Sequence, residues 1–376
     1  QTHGFLLPFA RHFRAHGWRV DGCANGIAEY EPAAGCYDTM YELPLSRSIR
    51  DIHGMSRTIG TLQAIVARDY DIVHVHTPIA AFLTRAIIRR MPASDRPKVV
   101  YTAHGFHFHE GGHPVLNQAF LLAERIAGRW TDRLVVINAE DQEAAKRHKI
   151  IPSRRLRYMR GIGVDTDWYS RDSLEPDSVQ QALEGIGMDP DGRYFVTVGE
   201  FSKRKRPQDV VRALARMEDR ETRLLFLGEG PRRSLVEEVA VRTGVSERVF
   251  MPGKVGDIRP FVAGAVALVQ ASSREGLPRS IMEALSLEVP AIVTDARGQE
   301  ELVGTDRGVV VPIGAVEEMA TAMHRLVRLP DSRNSMAARG RQLMVERYDL
   351  GAIISEHERL YGELLPDPPT PSGVHL

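Results

Sequence analysis

The chain has 376 residues, 43% hydrophobic and 26% charged. These are globular values, with room for two domains of ordinary size. Lysine plus arginine and aspartate plus glutamate both number 49, so the formal net charge is zero, which argues against a dedicated nucleic-acid binder because such proteins carry a basic excess.

Cys23 and Cys36 are the only cysteines. Their spacing matches no metal or redox signature and fits a reducing, cytoplasmic setting. No apolar run approaches the length of a membrane span, and no basic leader suggests a signal peptide. In chain order, QTHGFLLPFARHFRAHGWRV reads as a loop entering a helix, with a strand from Trp18. Doubly wound domains open with a strand, so the usual first strand is expected to be missing. Short runs rich in valine and isoleucine then predict strands at 18–24, 71–76, 98–103, 133–138 and 156–160. Six more follow at 194–199, 223–228, 248–252, 266–271, 291–295 and 308–312. Amphipathic segments such as AFLTRAIIRR, DVVRALARM and SIMEALSLE separate them. Continuous apolar strands alternating with such helices predict an α/β protein whose parallel sheets are covered on both faces. Eleven strands are too many for one compact sheet, so two Rossmann-like domains are expected.

Periodicity stops and glycines cluster at GIGVDTDWYS (161–170), which sets the predicted boundary: 1–165 for the first domain and 166–349 for the second. A last helix, 350–365, is placed to return to the first domain. The tail 366–376, PDPPTPSGVHL, is proline-rich and expected to be disordered.

Residues 101–114, YTAHGFHFHEGGHP, hold four histidines within ten positions: His104, His107, His109 and His113. Taken alone they suggest a metal centre, and a metal-dependent hydrolase built on this loop is a competing reading. D-x-D pairs at 69/71, 165/167 and 189/191 follow no convincing strand, and Asp165 suits a helix cap better than a metal. P-loop, G-x-S-x-G and G-x-G-x-x-G patterns are absent.

The most informative stretch is ASSREGLPRSIMEALSLEVPAIVTD (271–295), read as strand end, loop, helix and strand. Glu275 precedes the helix and Glu283 lies inside it. Backbone N–H groups around Gly276 and Leu277 make a natural anion site, favoured by the helix dipole. Carboxylates repel phosphate, so both glutamates are expected to read hydroxyls. Hydroxyls, an anion and hydroxyls again describe a nucleotide sugar.

This segment resembles the family 4 glycosyltransferases, whose signature is E-x7-E in the same loop and helix. Here it is EGLPRSIME, and S-R-E-G-L-P with E-A resembles the subgroup that makes bacterial capsule and exopolysaccharide. FVTVGEFSKRKRPQDVVRALA (195–215) resembles the opening of the family's second domain. Gly199 and, six residues on, Lys205 match its glycine and its diphosphate-clamping lysine. Many relatives carry arginine where this chain has Glu200, and Lys203, Arg204 and Arg206 are the candidates to replace that charge. LGEGP (227–231) resembles the family's G-x-G-P turn. At FMPGKV (250–255) the resemblance implies that the backbone of Lys254 and Val255 lies near the nucleobase. T-A-H-G-F-H resembles the family's histidine-glycine pair, which makes His104 the candidate facing the donor sugar or acceptor. His107 and His109 are candidates for the acceptor side, and His109 and His113 are expected in a mobile, glycine-containing loop that closes over an acceptor.

The resemblance implies the GT-B architecture, two Rossmann-like domains facing a cleft, the first binding acceptor and the second nucleotide sugar. It implies a retaining hexosyl- or N-acetylhexosaminyltransferase that uses a UDP-sugar and requires no metal or other cofactor. Catalysis is assigned to His104, Glu275 and Lys205. Donor binding is assigned to Gly199, Glu200, Lys205, Lys254, Val255, Glu275, Gly276, Leu277 and Glu283. The implied acceptor is a glycan or lipid-linked sugar, and the implied location is cytoplasmic at the inner membrane face. Segments 81–98 and 115–133, which mix apolar residues with Arg85, Arg89, Arg90, Arg125 and Arg129, are candidates for peripheral lipid contact. A non-catalytic homologue serving as a partner subunit is the other competing reading; Glu200 and the missing strand favour it, and intact Glu275, Glu283 and Lys205 oppose it.

Overall fold

The computed structural model of the chain describes residues 3–44, 52–108 and 112–365. The tail expected to be disordered and His109 lie outside these residues. Two compact units emerge, the first running to Ile162 and resuming at Ala352, the second spanning Gly163–Gly351. The boundary falls three residues before the expected one, and the chain re-enters the first unit two residues later than expected.

In the first unit, helix α1 (Leu7–Ala15) leads to strands β1 (Asp21–Ala24) and β2 (Thr39–Glu42), which pair in parallel as a separate two-stranded sheet. β2 is absent from the sequence reading. Its four residues alternate between half-buried and exposed, and so lack the apolar run that marks the other strands. Next come α2 (Ile52–Val66), β3 (Ile72–Val75), α3 (Pro78–Arg90), β4 (Lys98–Ala103), α4 (Pro114–Gly128), β5 (Arg133–Val136), α5 (Ala139–Arg147) and β6 (Leu156–Tyr158). Strands β3 to β6 form a four-stranded parallel sheet in sequence order. Alternate residues face opposite sides: Tyr101, Ala103, Leu134 and Val136 join one apolar cluster. Val100 and Val135 face Leu360 and Leu364 of the last helix, α14 (Leu350–Gly362) and the turn after it. That apolar contact explains the return of the chain. Glu363 adds ion pairs to Arg133 at 3.2 Å and Arg157 at 2.8 Å, exposed and worth little by comparison.

One expectation fails here. Arg85 belongs to a segment expected to contact lipid, yet it is buried, with Glu124 at 3.4 Å, the Thr131 hydroxyl at 3.3 Å and the Tyr101 ring beneath it. A solvated and a buried arginine look alike in an amphipathic pattern, because the partner that decides lies 39 residues away.

In the second unit, α6 (Ser178–Glu184) precedes β7 (Tyr194–Val198), α7 (Pro207–Arg216), β8 (Arg223–Leu227), α8 (Arg233–Arg242), β9 (Val249–Gly253) and α9 (Arg259–Ala263). Then come β10 (Ala267–Gln270), α10 (Arg279–Ser286), β11 (Ala291–Thr294), α11 (Gln299–Val303), β12 (Gly308–Val311), α12 (Val316–Arg328) and α13 (Pro330–Leu343). Six parallel strands lie in the order β12-β11-β10-β7-β8-β9. Order reverses at β7, so the loops after β7 and β10 open at the switch point of a doubly wound sheet, where ligands bind. Phe195, Leu224, Phe226, Val269 and Ile292 pack on one face, and Val196, Leu225, Leu268 and Val293 on the other. A π-helical turn, Met344–Tyr348, joins α13 to α14.

Candidate active site

The loops after β7 and β10 bring together the charged residues singled out from the sequence. Glu275, buried, lies four residues ahead of α10. Lys205 Nζ donates to its Oε1 at 2.8 Å and Arg204 Nη1 reaches Oε2 at 2.5 Å. The Ser272 hydroxyl donates to Oε1 at 2.7 Å. Burial alone would raise this carboxyl, but the two cations and the Ser272 and Lys205 hydrogen bonds hold it below its usual range.

Arg204 also donates to the Arg274 carbonyl at 2.8 Å. Of the three candidates to replace the family's missing arginine, it alone meets Glu275: Arg206 is held by Asp209, and Lys203 is exposed.

Glu283 sits in the second turn of α10 and behaves oppositely. Burial dominates and raises its carboxyl above the usual range, against the pull of Arg279 at 2.7 Å and a hydrogen bond from Tyr169. One motif therefore holds a firmly ionised glutamate and a reluctant one.

Beneath the 275–277 loop lies a buried polar layer that sequence reasoning missed. Thr294 Oγ1 donates to the Ser272 carbonyl, and Gln299 Nε2 donates to Thr294 Oγ1 at 2.9 Å. Gln270 Nε2 donates to Gln299 Oε1 at 3.1 Å, and Ser280 Oγ donates to Gln270 Oε1 at 2.9 Å. Gly298, at φ +76°, lies against this loop, where a Cβ would strike the Gly276 carbonyl. The only sequence signal was ARGQEE just past a strand.

Gly199 and Gly228 abut: φ at Gly228 is +148°, and a Cβ there would meet the Gly199 carbonyl. The Lys205 stem runs over Gly199, within 3.4 Å of where its Cβ would stand. The two glycines thus let the loops after β7 and β8 close up around the lysine. Glu200 is exposed on the same loop. Lys254 is exposed with Glu229 at 3.9 Å, and Val255 packs on the unit's core. Asp165 accepts a hydrogen bond from the Trp168 amide at 2.9 Å, closing a turn rather than capping the expected helix, since no helix begins there.

In the first unit the histidine stretch divides. His104, half-buried at the end of β4, turns to His76 just past β3, with His104 Nε2 and His76 Nδ1 3.2 Å apart. His107 is exposed, its ring 5.4 Å from Phe120, and His113 is the N-cap residue of α4. The three do not converge. Among the described residues no group of three or more His, Cys, Asp or Glu side chains is placed to hold a metal. His74 and His76, in DIVHVHTP, escaped the sequence reading; the signal was alternate histidines at a strand's end.

Two family models match the chain. Glycosyltransferase Family 4 covers residues 5–168, and Glycosyl transferases group 1 covers residues 180–343. EpsD of Bacillus subtilis (strain 168), provisionally described as a glycosyltransferase, is 30% identical over 95% of this chain and 92% of its own. The UDP-Gal:alpha-D-GlcNAc-diphosphoundecaprenol alpha-1,3-galactosyltransferase of Escherichia coli is 23% identical over 85% of this chain and 82% of its own. The structure of Anabaena HepE in complex with UDP and glucose shares the fold with a TM-score of 0.80. It is 17% identical, covering 96% of this chain and 95% of that one.

Proposed function

Since the chain belongs to the family 4 glycosyltransferases, we propose that it moves a hexosyl or N-acetylhexosaminyl residue from a UDP-sugar, with retention, to a hydroxyl of a glycan or lipid-linked acceptor in bacterial polysaccharide synthesis. The observation that carries this reading is the meeting of Lys205 and Arg204 at Glu275 beside Gly276 and Leu277. UDP in HepE and the diphosphoundecaprenol acceptor of the Escherichia coli enzyme support the choice of donor and acceptor.

Transfer breaks the bond between the anomeric carbon and the diphosphate oxygen and makes one to the acceptor oxygen on the same face. The acceptor proton leaves with the diphosphate, so no protein base is required. Lys205, Arg204 and the amides of 276–277 stabilise the departing charge, and being preorganised they need no reorganisation at the moment of reaction. Glu275, ionised, accepts from donor-sugar hydroxyls, and Glu283 accepts from the ribose. His104 faces the sugar or acceptor as a neutral ring. No metal or other cofactor is invoked.

A thermal-shift screen with UDP, GDP, ADP and their sugars tests this directly. A UDP compound at a hundred times its Kd stabilises by about 2.7 kcal/mol; no shift with any nucleotide overturns the reading. Glu283→Ala weakens UDP binding about tenfold, as expected for one lost charged hydrogen bond, and unchanged affinity removes its ribose role.

The acceptor side includes a peripheral lipid contact at the inner membrane face. Val115, Leu116, Phe120 and Leu122 of α4 are 70%, 55%, 39% and 59% exposed. They lie within half the helix circumference, with exposed Arg125 and Arg129 at its edge. No helix among the described residues is long and apolar enough to cross a membrane. Sedimentation with anionic vesicles at low salt checks this: wild type pellets, and a Leu116→Ser, Leu122→Ser variant binds at least fivefold less. Equal binding by the two proteins rejects the α4 contact.

A further inference from the structure

We propose that His76 is the positioning residue of His104, setting which ring nitrogen of His104 is bare and which carries hydrogen toward the ligand. This rests on the reading of His104 as the residue facing the sugar or acceptor.

The geometry starts on α14. Tyr361 Oη lies 2.5 Å from His74 Nδ1, and Thr102 Oγ1 lies 2.8 Å from His74 Nε2, so both nitrogens of His74 are occupied and its plane is held. His76 stacks on His74, centroids 4.2 Å apart and planes 30° apart. The orientation of His76 is thereby inherited from the returning helix. Its Nδ1 then meets His104 Nε2 at 3.2 Å.

One hydrogen bond between two neutral imidazoles holds one proton, which couples their tautomers. If His76 Nδ1 carries it, His104 Nε2 is the acceptor and His104 Nδ1 bears the remaining hydrogen, facing the ligand as a donor. In the opposite arrangement His104 Nε2 donates, its Nδ1 is bare, and the second hydrogen of the pair sits on His76 Nε2. His76 therefore controls whether His104 gives or takes a hydrogen bond, and we assign the first arrangement, with a donor facing the sugar oxygens.

Both rings stay uncharged. Burial pushes His104 down to about 4, with His357 adding to it, and burial, with His104 and His357, also holds His76 well below the ordinary range. The groups around the pair are His74 from β3, against His76, and His357 from α14, with Thr102 of β4 and Tyr361 of α14 beyond them on His74. His357 Nδ1 lies 2.9 Å from the Ile353 carbonyl. None of these is a carboxylate that would favour a charged ring.

The test needs no substrate, so its outcome is separate from that of the transfer reading. Long-range 15N–1H spectra of histidine-labelled full-length protein are titrated from pH 8 down. In the wild type, His104 shows one neutral tautomer, hydrogen on Nδ1, across physiological pH. In His76→Ala its midpoint rises by a pH unit or more toward the ordinary range, and its shifts become a tautomer average. His76→Asn, whose amide sits where Nδ1 was, restores the single tautomer, while His76→Gln, whose amide sits nearer Nε2, does not. A purely packing role predicts that Asn and Gln behave alike. That result, an unmoved His104 in folded His76→Ala, or a wild-type Nε2 hydrogen each overturns the assignment.

Discussion

At the strand ends of the second unit, Lys205, Arg204, Arg279, Glu275 and Glu283 crowd two loops and the start of one helix. At the strand ends of the first, His74, His76, His104 and His357 crowd another, and burial, the largest influence on each, lowers all four below the ordinary range. A diphosphate leaving group gains negative charge during transfer and calls for cations already in place. Sugar and acceptor hydroxyls stay neutral and call for oriented dipoles, which a charged imidazole would disturb. The ionisable residues are thus kept charged in one place and uncharged in the other, and the presence or absence of opposite charges inside the buried cluster contributes to that difference.

Lys205→Ala is the severest way to break the charged side. Removing one preorganised donor to a developing oxyanion costs on the order of 10²–10³ in kcat. Steady-state rates of donor consumption measure it, and raising ionic strength weakens nucleotide binding less in the variant than in the wild type. A loss under fivefold would mean that Lys205 serves only to neutralise Glu275.

Gly298→Ala tests whether the charged loop depends on its support. The positive φ and the Gly276 carbonyl both oppose a methyl group. The expected cost is about 1–3 kcal/mol of stability, with a weaker nucleotide affinity because the 276–277 amides shift. Denaturant melts and UDP titration read the two effects separately. Unchanged UDP affinity in a destabilised variant would uncouple support from binding.

Much of the charged side was legible in the sequence, and much of the neutral side was not. EGLPRSIME placed Glu275 and Glu283 on a loop and a helix because glycine, proline and apolar spacing are local signals. Lys205 was legible for the same reason, through its distance from Gly199. The opposite ionisation of the two glutamates was hidden, since it depends on Arg204 and Lys205, seventy residues upstream of Glu275. His74 and His76 alternate along β3 and read as a polar interruption of an apolar strand; their meaning comes from Tyr361, 287 residues from His74. Thr294, Gln270 and Gln299 were overlooked because each is ordinary alone, and only packing closes them into a layer. The sheets needed no such information: apolar runs between amphipathic helices are enough to predict them, apart from short β2.

The smallest effect probes the neutral side by acid. A ring lowered in the folded state binds fewer protons than in the unfolded chain between its folded value and about 6.5, so stability rises with pH across that window. The stabilisation is complete above about 6.5 and is lost as pH falls toward about 4, where His104 itself protonates. His104→Asn removes one such ring and keeps a polar side chain. The fall in stability between pH 6.5 and 5 should therefore shrink by about 1–2 kcal/mol, at about 1.4 kcal/mol per pH unit for one proton. Glu275→Gln supplies the contrast. Its carboxyl lies below the usual range, so its pH-dependent contribution falls below about pH 4.5 and leaves the window above 5 untouched. Urea melts at pH 7, 6 and 5 distinguish the two variants. Equal slopes for His104→Asn and wild type would mean that His104 is not kept neutral by the fold, and the contrast between the two clusters would reduce to residue type alone.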